Sequence, residues 1–136
     1  MNAGRFVGAS VAAFVVRAVL NAGFYGYLMH GEYERMAAAH PGMFREVVPA
    51  FLVLDLVAVL FITYLIVKAG SAFGGGIKGG VTIGVLAAIL GPVLFSLYNY
   101  FSVTFYSVSF FATESVFQIV SHAIQGAVAA AIYKSA

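Results

Sequence analysis

Four polar side chains recur at helical spacing in the last apolar segment of this 136-residue chain. Spacings of four, four and three residues place them along one side of an α-helix. A carboxylate and an imidazole on one helical face could exchange protons or hold a ligand. The four residues are Glu114, Gln118, His122 and Gln125.

Two more ionisable residues, Arg17 and Asp55, interrupt other apolar segments. Counting ~1.5 Å of rise per residue places both near the middle of a membrane, at the level of His122. A charge in hydrocarbon is costly without a partner, so the sequence predicts an Arg17–Asp55 ion pair. Asn21 follows Arg17 by one turn and approaches Gln118 in depth. The predicted intramembrane polar cluster, functional or structural, is Arg17, Asn21, Asp55, Glu114, Gln118 and His122.

Eight aromatic residues lie between Phe95 and Phe111. Tyrosine is favoured at the headgroup level, where its ring is in the apolar layer and its hydroxyl is in water. We interpret this segment as an aromatic belt with an interfacial loop, and the alternative is an aromatic cap that faces a ligand. The residues that would form the cap are Tyr25, Tyr98, Tyr100 and Tyr106.

Sequence patterns for catalysis and metal binding are missing. The chain has no cysteine, which excludes thiolate chemistry. No serine stands in a known motif with histidine and carboxylate partners. His122 alone is too few for a metal site or for the two axial ligands of an electron-transfer haem. We therefore predict no catalytic residue, no metal and no resident cofactor, with a quinone or haem beside Arg17 and His122 as an alternative.

The composition indicates that lipid surrounds most of the chain. Hydrophobic residues make up 62% of it and charged residues 9%, and the mean hydropathy is +1.00. A soluble domain carries about 25% charged residues. The 7 Lys and Arg residues form no basic stripe, which excludes a nucleic-acid partner.

Four continuous apolar stretches are long enough to cross a bilayer, which takes roughly 20 residues. They cover residues 6–29, 47–67, 81–101 and 113–133. We expect a single all-α domain over residues 1–136, an antiparallel up-down bundle of four transmembrane helices. A short surface helix is predicted over residues 32–39, before His40-Pro41-Gly42.

Glycine and proline positions predict turns and close contacts. The stretch 69–80 predicts a turn with Gly70 and Gly79 at the helix ends. It lacks the phosphate-loop pattern, because Lys78 is followed by glycine. Pro92 predicts a kink in the third span. Two pairs of small residues would allow close helix approach, Gly80 with Gly84 and Gly126 with Ala130.

Basic residues predict the orientation. With four spans, one side of the membrane would hold Arg5, Lys68, Lys78 and Lys134, and the other would hold Arg35 and Arg45. The positive-inside rule then favours N-in and C-in. We expect a multi-pass protein of the cytoplasmic (inner) membrane.

Several sequence features together resemble small uncharacterised four-span integral membrane proteins of bacteria. They are Asn21 and Tyr25 late in the first span, the glycines Gly76, Gly79, Gly80 and Gly84, the Tyr98-Asn99-Tyr100 triplet, and Glu114 at the start of the fourth span. The resemblance implies a four-helix bundle and supplies no activity.

Three functions are consistent with these features. The first is a non-enzymatic structural or accessory protein, working as a homo-oligomer or within a larger membrane complex. The second is a small proton-linked transporter that acts as a dimer, in which Asp55, Glu114 and His122 titrate. The third is a membrane redox partner that holds a quinone or haem.

Overall fold

The computed structural model describes residues 1–42, 48–104 and 106–133. These residues form helices, turns and connecting segments, and no strand occurs among them. The elements are α1 (Ala3–Gly23) with a π-helical turn (Phe24–Leu28), α2 (His30–Ala39), α3 (Val48–Ala69) with a 3₁₀ turn (Gly70–Phe73), α4 (Gly76–Ala88), a second π-helical turn (Ile89–Val93), α5 (Leu94–Ser102) and α6 (Val108–Tyr133).

Four helical segments are long and apolar enough to cross a membrane. They are Ala3–Leu28, Pro49–Phe73, Gly76–Ser102 and Val108–Tyr133, with lengths of 26, 25, 27 and 26 residues. At ~1.5 Å per residue, each exceeds the ~30 Å thickness of the hydrocarbon layer. The expectation of an all-helical chain with four apolar spans is therefore confirmed for the described residues.

Three helices begin earlier than the hydropathy predicts. The first starts at Ala3 rather than residue 6, the third at Gly76 rather than residue 81, and the fourth at Val108 rather than residue 113. In α6 the hydroxyl of Ser107 accepts a hydrogen bond of 3.1 Å from the Phe110 amide, which caps the first turn. The predicted start of the second span, at residue 47, lies outside the described residues.

The short helix α2 matches the prediction for residues 32–39 and starts two residues earlier. It ends at Ala39 with His40 as its C-cap, and Gly42 follows with φ +80°. None of its residues is fully buried. Tyr33 and Met36 pack against a small cluster that includes Phe24 and Phe110, so α2 lies over one end of the helices.

Pro92 does not break the third span. It lies in the π-helical turn Ile89–Val93, and the chain continues directly from α4 into α5. A wider turn relieves the clash between the proline ring and the preceding carbonyl.

The turn after α3 corrects one expectation. Gly74, Gly75 and Gly76 have φ values of 101°, 68° and 48°, so these residues, rather than Gly70 and Gly79, make the reversal. Gly70 and Gly79 instead face each other. A Cβ atom built on Gly79 would stand 2.4 Å from the carbonyl oxygen of Gly70.

Glycine packing joins α4 to α6. A Cβ atom on Gly80 would stand 2.2 Å from the Gly126 carbonyl oxygen, and one on Gly126 would stand 2.1 Å from the Gly80 carbonyl oxygen. Both small-residue pairs of the sequence therefore meet at this contact. The apolar core beside it draws residues from α1, α3, α4 and α6, namely Ala13, Val59, Ile62, Ile66, Ile83, Ala129 and Ala130.

Candidate functional site: a polar core between the helices

Arg17 of α1 is the centre of the polar core. Its guanidinium is buried, and Nε lies 3.2 Å from Oδ1 of Asp55 in α3. Nη1 donates to Oγ of Ser121 at 3.3 Å, and Nη2 donates to Oε1 of Gln118 at 3.3 Å. One side chain thus ties α1 to both α3 and α6.

Asp55 has a partner for each carboxylate oxygen. Oδ1 pairs with Arg17, and Oδ2 accepts a hydrogen bond of 2.7 Å from Nδ2 of Asn21. The Asp55 side chain is still 24% exposed. This acid is neutralised within the chain, and one edge of it stays open on the surface of α3.

His122 lies beside Arg17. Its Nδ1 is 2.7 Å from the carbonyl oxygen of Gln118 and 3.1 Å from Nη1 of Arg17. An unprotonated Nδ1 would set its lone pair against the carbonyl oxygen, so the shorter contact requires Nδ1–H as the donor. That nitrogen then accepts nothing from Arg17, and Ser121 is the acceptor for Nη1.

Glu114 of α6 has a different environment, made of hydroxyl groups. Tyr25 donates to Oε1 at 3.1 Å, Ser96 donates to Oε2 at 2.6 Å, and Tyr106 also donates to Oε2. Glu114 is only 9% exposed. Among the described residues, no Lys, Arg or His side chain lies within ion-pair distance of it.

Gln118 connects the two acids. Its Nε2 donates to the Tyr25 hydroxyl at 2.6 Å, and its Oε1 accepts from Arg17. A continuous series of hydrogen bonds therefore runs from Asp55 to Glu114. The structure brings five residues of the predicted cluster into this network, and the sixth, His122, bonds to the backbone carbonyl of Gln118 beside it.

Two phenols outside the spans face Glu114. Burial raises the pKa of Tyr106 above its ordinary value, and the hydrogen bond to Glu114 raises it further. Burial also raises the pKa of Tyr33, with a further contribution from the Glu114 charge. Both hydroxyls therefore stay protonated at ordinary pH.

The four tyrosines proposed for an aromatic cap separate into two groups. Tyr25 and Tyr106 contact Glu114. Tyr98 is 68% exposed, and Tyr100 packs on Phe101 and Phe111. The structure therefore places only half of the proposed cap at the acid.

Two residues of this region have no place in the sequence prediction. Ser96 lies in α5, one helical turn past Pro92. A hydroxyl in an otherwise apolar helix indicates a side chain that faces the other helices, so the sequence did offer a reason to include Ser96. Tyr33 reaches the region because α2 folds over the helices. Its ring centroid lies 6.0 Å from that of Tyr25 and 5.5 Å from that of Phe110, and nothing in the sequence indicates this folding.

Further along α6, Gln125 is fully buried, and neither polar atom of its side chain has a hydrogen-bond partner among the described residues. The hydroxyls of Ser10 and Thr63 are likewise buried and unpaired. These groups flank the apolar core residues Ala13, Ile62 and Ala129. Oγ of Ser115, the residue after Glu114, and Oδ1 of Asn21 are also buried without a partner among the described residues, so the polar core is only partly satisfied.

Comparisons with protein-family models, curated proteins and solved structures gave no match. The part of the chain that the structure describes holds no group of three His, Asp or Glu side chains placed to bind a metal ion. Fold and site together define an all-helical protein with four helices fit to span a membrane and one hydrogen-bonded polar core.

Proposed function

We propose that this chain is a non-enzymatic, proton-linked carrier of the bacterial cytoplasmic membrane, with Glu114 as its proton-binding group. The observation that supports this is the contrast between the two acids of the polar core. Asp55 has Arg17 as its cation, whereas the hydrogen-bond partners of Glu114 among the described residues are all hydroxyls.

The energetics support a functional role for Glu114. An ionised carboxylate without a cation costs several kcal/mol in a low-dielectric interior, in the range of about 2 to 5 kcal/mol. Hydroxyls can serve either form of the acid, since Ser96 and the tyrosines can each donate or accept. The surroundings of Glu114 therefore suit a group that gains and loses a proton without rearranging the helices.

Arg17 and Asp55 have the structural role in this proposal. Their pairing places opposite charges together in the middle of the spans, where neither could remain alone. Gln118 and Tyr25 then connect Arg17 to Glu114 through three successive hydrogen bonds.

We propose an antiparallel up-down arrangement with both termini in the cytoplasm. The basic residues favour this orientation, and it sets Glu114, ~9 Å from the start of α6 at Val108, in the outer half of the membrane. We further propose a dimer, because α3 leaves Asp55 partly exposed within a broad apolar face. The exposed residues there include Phe51, Val53, Leu54, Val57 and Phe61.

Infrared spectroscopy of the purified protein tests the proton site. We expect a carboxylic acid C=O band that grows on acidification, shifts in D₂O and is missing from Glu114→Gln. Glu34→Gln removes an exposed acid of α2 and should keep the band. Persistence of that same band, at the same frequency, in Glu114→Gln would overturn the assignment.

Transport is tested in vesicles that trap a pH-sensitive dye. Proton entry under a pH gradient should be faster with the wild-type protein and Glu34→Gln than with Glu114→Gln. Equal rates in wild-type and Glu114→Gln vesicles would overturn the carrier.

A structural or accessory subunit is the second candidate function. The observation that favours it is that the hydrogen bonds of Arg17 join three helices, through Asp55, Gln118 and Ser121. Such a protein would need the whole polar core for folding and would move no protons.

A further inference from the structure

An apolar groove runs along α6 beside the end of α1. Ala112, Val116 and Val120 recur every fourth residue, which places them on one side of α6. The rings of Phe24 and Phe117 stack with centroids 3.8 Å apart and form another part of the wall. The groove has a volume of about 530 Å³, which is within the range of cavities that hold small molecules.

The groove faces the hydrocarbon of the membrane and not the polar core. Val116 is 63% exposed and Val120 is 51% exposed. Glu114 and Gln118 are buried on a different side of the same helix. Because the groove is apolar and open to the lipid phase, the part of a ligand that fills it must be hydrocarbon.

Thr113 joins this groove to a smaller pocket beneath α2. The pocket has a volume of about 140 Å³, and Thr113 forms part of the wall of both cavities. Glu32 of α2 brings a carboxylate to the pocket, and Ser107 and Ser109 bring hydroxyls. The groove and the pocket together are called the Thr113 site below. Its apolar part lies along α6, and its polar part lies at the end of the span, so the site suits an amphipathic molecule.

Two opposite charges stand at the polar end of the Thr113 site. Glu32 forms an ion pair with Arg35, which lies one helical turn further along α2. Their side chains are 46% and 73% exposed, so both charges remain within reach of a group at the membrane surface. A zwitterionic phospholipid carries the matching charges, an ammonium group for Glu32 and a phosphate for Arg35.

From this shape and these charges we infer that the Thr113 site binds a phospholipid with an ammonium-bearing, zwitterionic headgroup. One acyl chain lies in the groove along α6, and the headgroup lies over the pocket against Glu32 and Arg35. The second acyl chain stays in the surrounding bilayer. Binding of this lipid does not involve the proton chemistry of Glu114, and so it goes beyond the proposed function.

Native mass spectrometry of the detergent-solubilised protein tests the Thr113 site. The probes are phosphatidylethanolamine and phosphatidylglycerol with identical acyl chains, and the second probe carries the phosphate without the ammonium group. We expect saturable binding of phosphatidylethanolamine, about two- to fivefold tighter than that of phosphatidylglycerol, the size of one surface charge contact. Equal affinity for the two lipids would overturn the headgroup assignment.

Glu32→Gln tests the headgroup contact on the exposed helix α2. The variant lacks the carboxylate that would meet the ammonium group, so the preference for phosphatidylethanolamine should disappear. Glu34→Gln is the matched control, because Glu34 pairs with His30 and lies outside the pocket wall, and it should keep the preference. The comparison is a ratio of two lipids on one variant, so a general loss of folded protein cannot imitate it. An unchanged preference in Glu32→Gln would contradict the contact.

Val116→Trp tests the groove by filling it with a large ring. Binding of both lipids should fall by about tenfold, because the acyl chain and the new ring compete for the same space. Val11→Trp is the matched control, since Val11 is 54% exposed on α1 and lies outside the groove wall. Circular dichroism checks that both variants keep the wild-type helix content and unfolding midpoint. Equal lipid binding by the two variants would show adventitious lipid only and would overturn the site.

The same mass spectra report the oligomeric state, which separates the lipid from the other candidate for the groove, a second copy of the chain. Lipid-bound protein whose oligomeric state is the same in Val116→Trp as in the wild type supports the lipid site. A lipid-free dimer that dissociates in Val116→Trp would show that a second copy covers the groove, and the lipid site would then be wrong.

Discussion

Gly84 of α4 lies directly against the backbone of His122 in α6. A Cβ atom built on Gly84 would stand 2.1 Å from the His122 carbonyl oxygen. His122 is also the residue whose ring lies beside Arg17. The close approach of α4 therefore supports the part of α6 that carries the polar stripe, and helix packing and the polar core are coupled at one residue.

Gly84→Ala should therefore destabilise the fold by about 1–3 kcal/mol, the usual cost of forcing extra volume into a packed contact. The new methyl group meets backbone atoms, which cannot rotate away. Gly8→Ala is the matched control, because a Cβ atom at Gly8 meets nothing within 4 Å and alanine favours a helix. Denaturant unfolding in mixed micelles compares the stability of the two variants. Equal unfolding midpoints for Gly84→Ala and Gly8→Ala would contradict the packing argument.

Arg17→Leu should be more harmful than the double variant Arg17→Leu/Asp55→Leu. The single change leaves a carboxylate in the membrane without its cation, a loss of about 3–5 kcal/mol for a buried pair. The double change removes both charges, although Gln118 and Ser121 still lose a donor. The free energy of unfolding of the two variants decides this, and a double variant less stable than Arg17→Leu would argue against the pairing.

The sequence predicted that Arg17, Asp55 and His122 lie at the same height along their helices, because the rise per residue converts a residue number into a depth. The sequence also indicated the α4–α6 contact, since small residues four apart allow close approach. Both arguments use only local geometry. Helical rise and four-residue spacing predict contacts correctly when the residues lie on a regular α-helix.

The hydroxyl surroundings of Glu114 were predictable only in part: Tyr25 and Tyr106 were candidates for an aromatic cap, but helical spacing did not indicate their contact, or that of Ser96, with Glu114. Ser96 lies beyond a π-helical turn, which changes the face on which later residues emerge. Tyr25 lies in the other π-helical turn, and Tyr33 depends on how α2 folds back. Extra residues in a turn and tertiary folding of a short helix leave no periodic signal in a sequence.

Removing single hydroxyls around Glu114 should destabilise the fold unequally. Ser96→Ala and Tyr106→Phe each remove a hydrogen bond to a carboxylate, which is worth about 1–3 kcal/mol. Tyr98→Phe removes an exposed hydroxyl and should change stability by less than about 0.5 kcal/mol. Thermal unfolding followed by circular dichroism compares the three, and a Tyr98→Phe loss as large as that of Ser96→Ala would contradict the assigned geometry.

Two glutamines on the same face of α6 should respond in opposite ways to replacement by leucine. Gln118 bonds to both Arg17 and Tyr25, so Gln118→Leu leaves two polar partners unsatisfied and should cost about 1–3 kcal/mol. Gln125 is fully buried without a hydrogen-bond partner among the described residues. Gln125→Leu exchanges an unpaired amide for an apolar group of similar size, and should raise stability by about 1 kcal/mol. The free energy of unfolding in mixed micelles measures both changes. A loss of stability in Gln125→Leu would contradict the assignment of Gln125 as an unpaired amide.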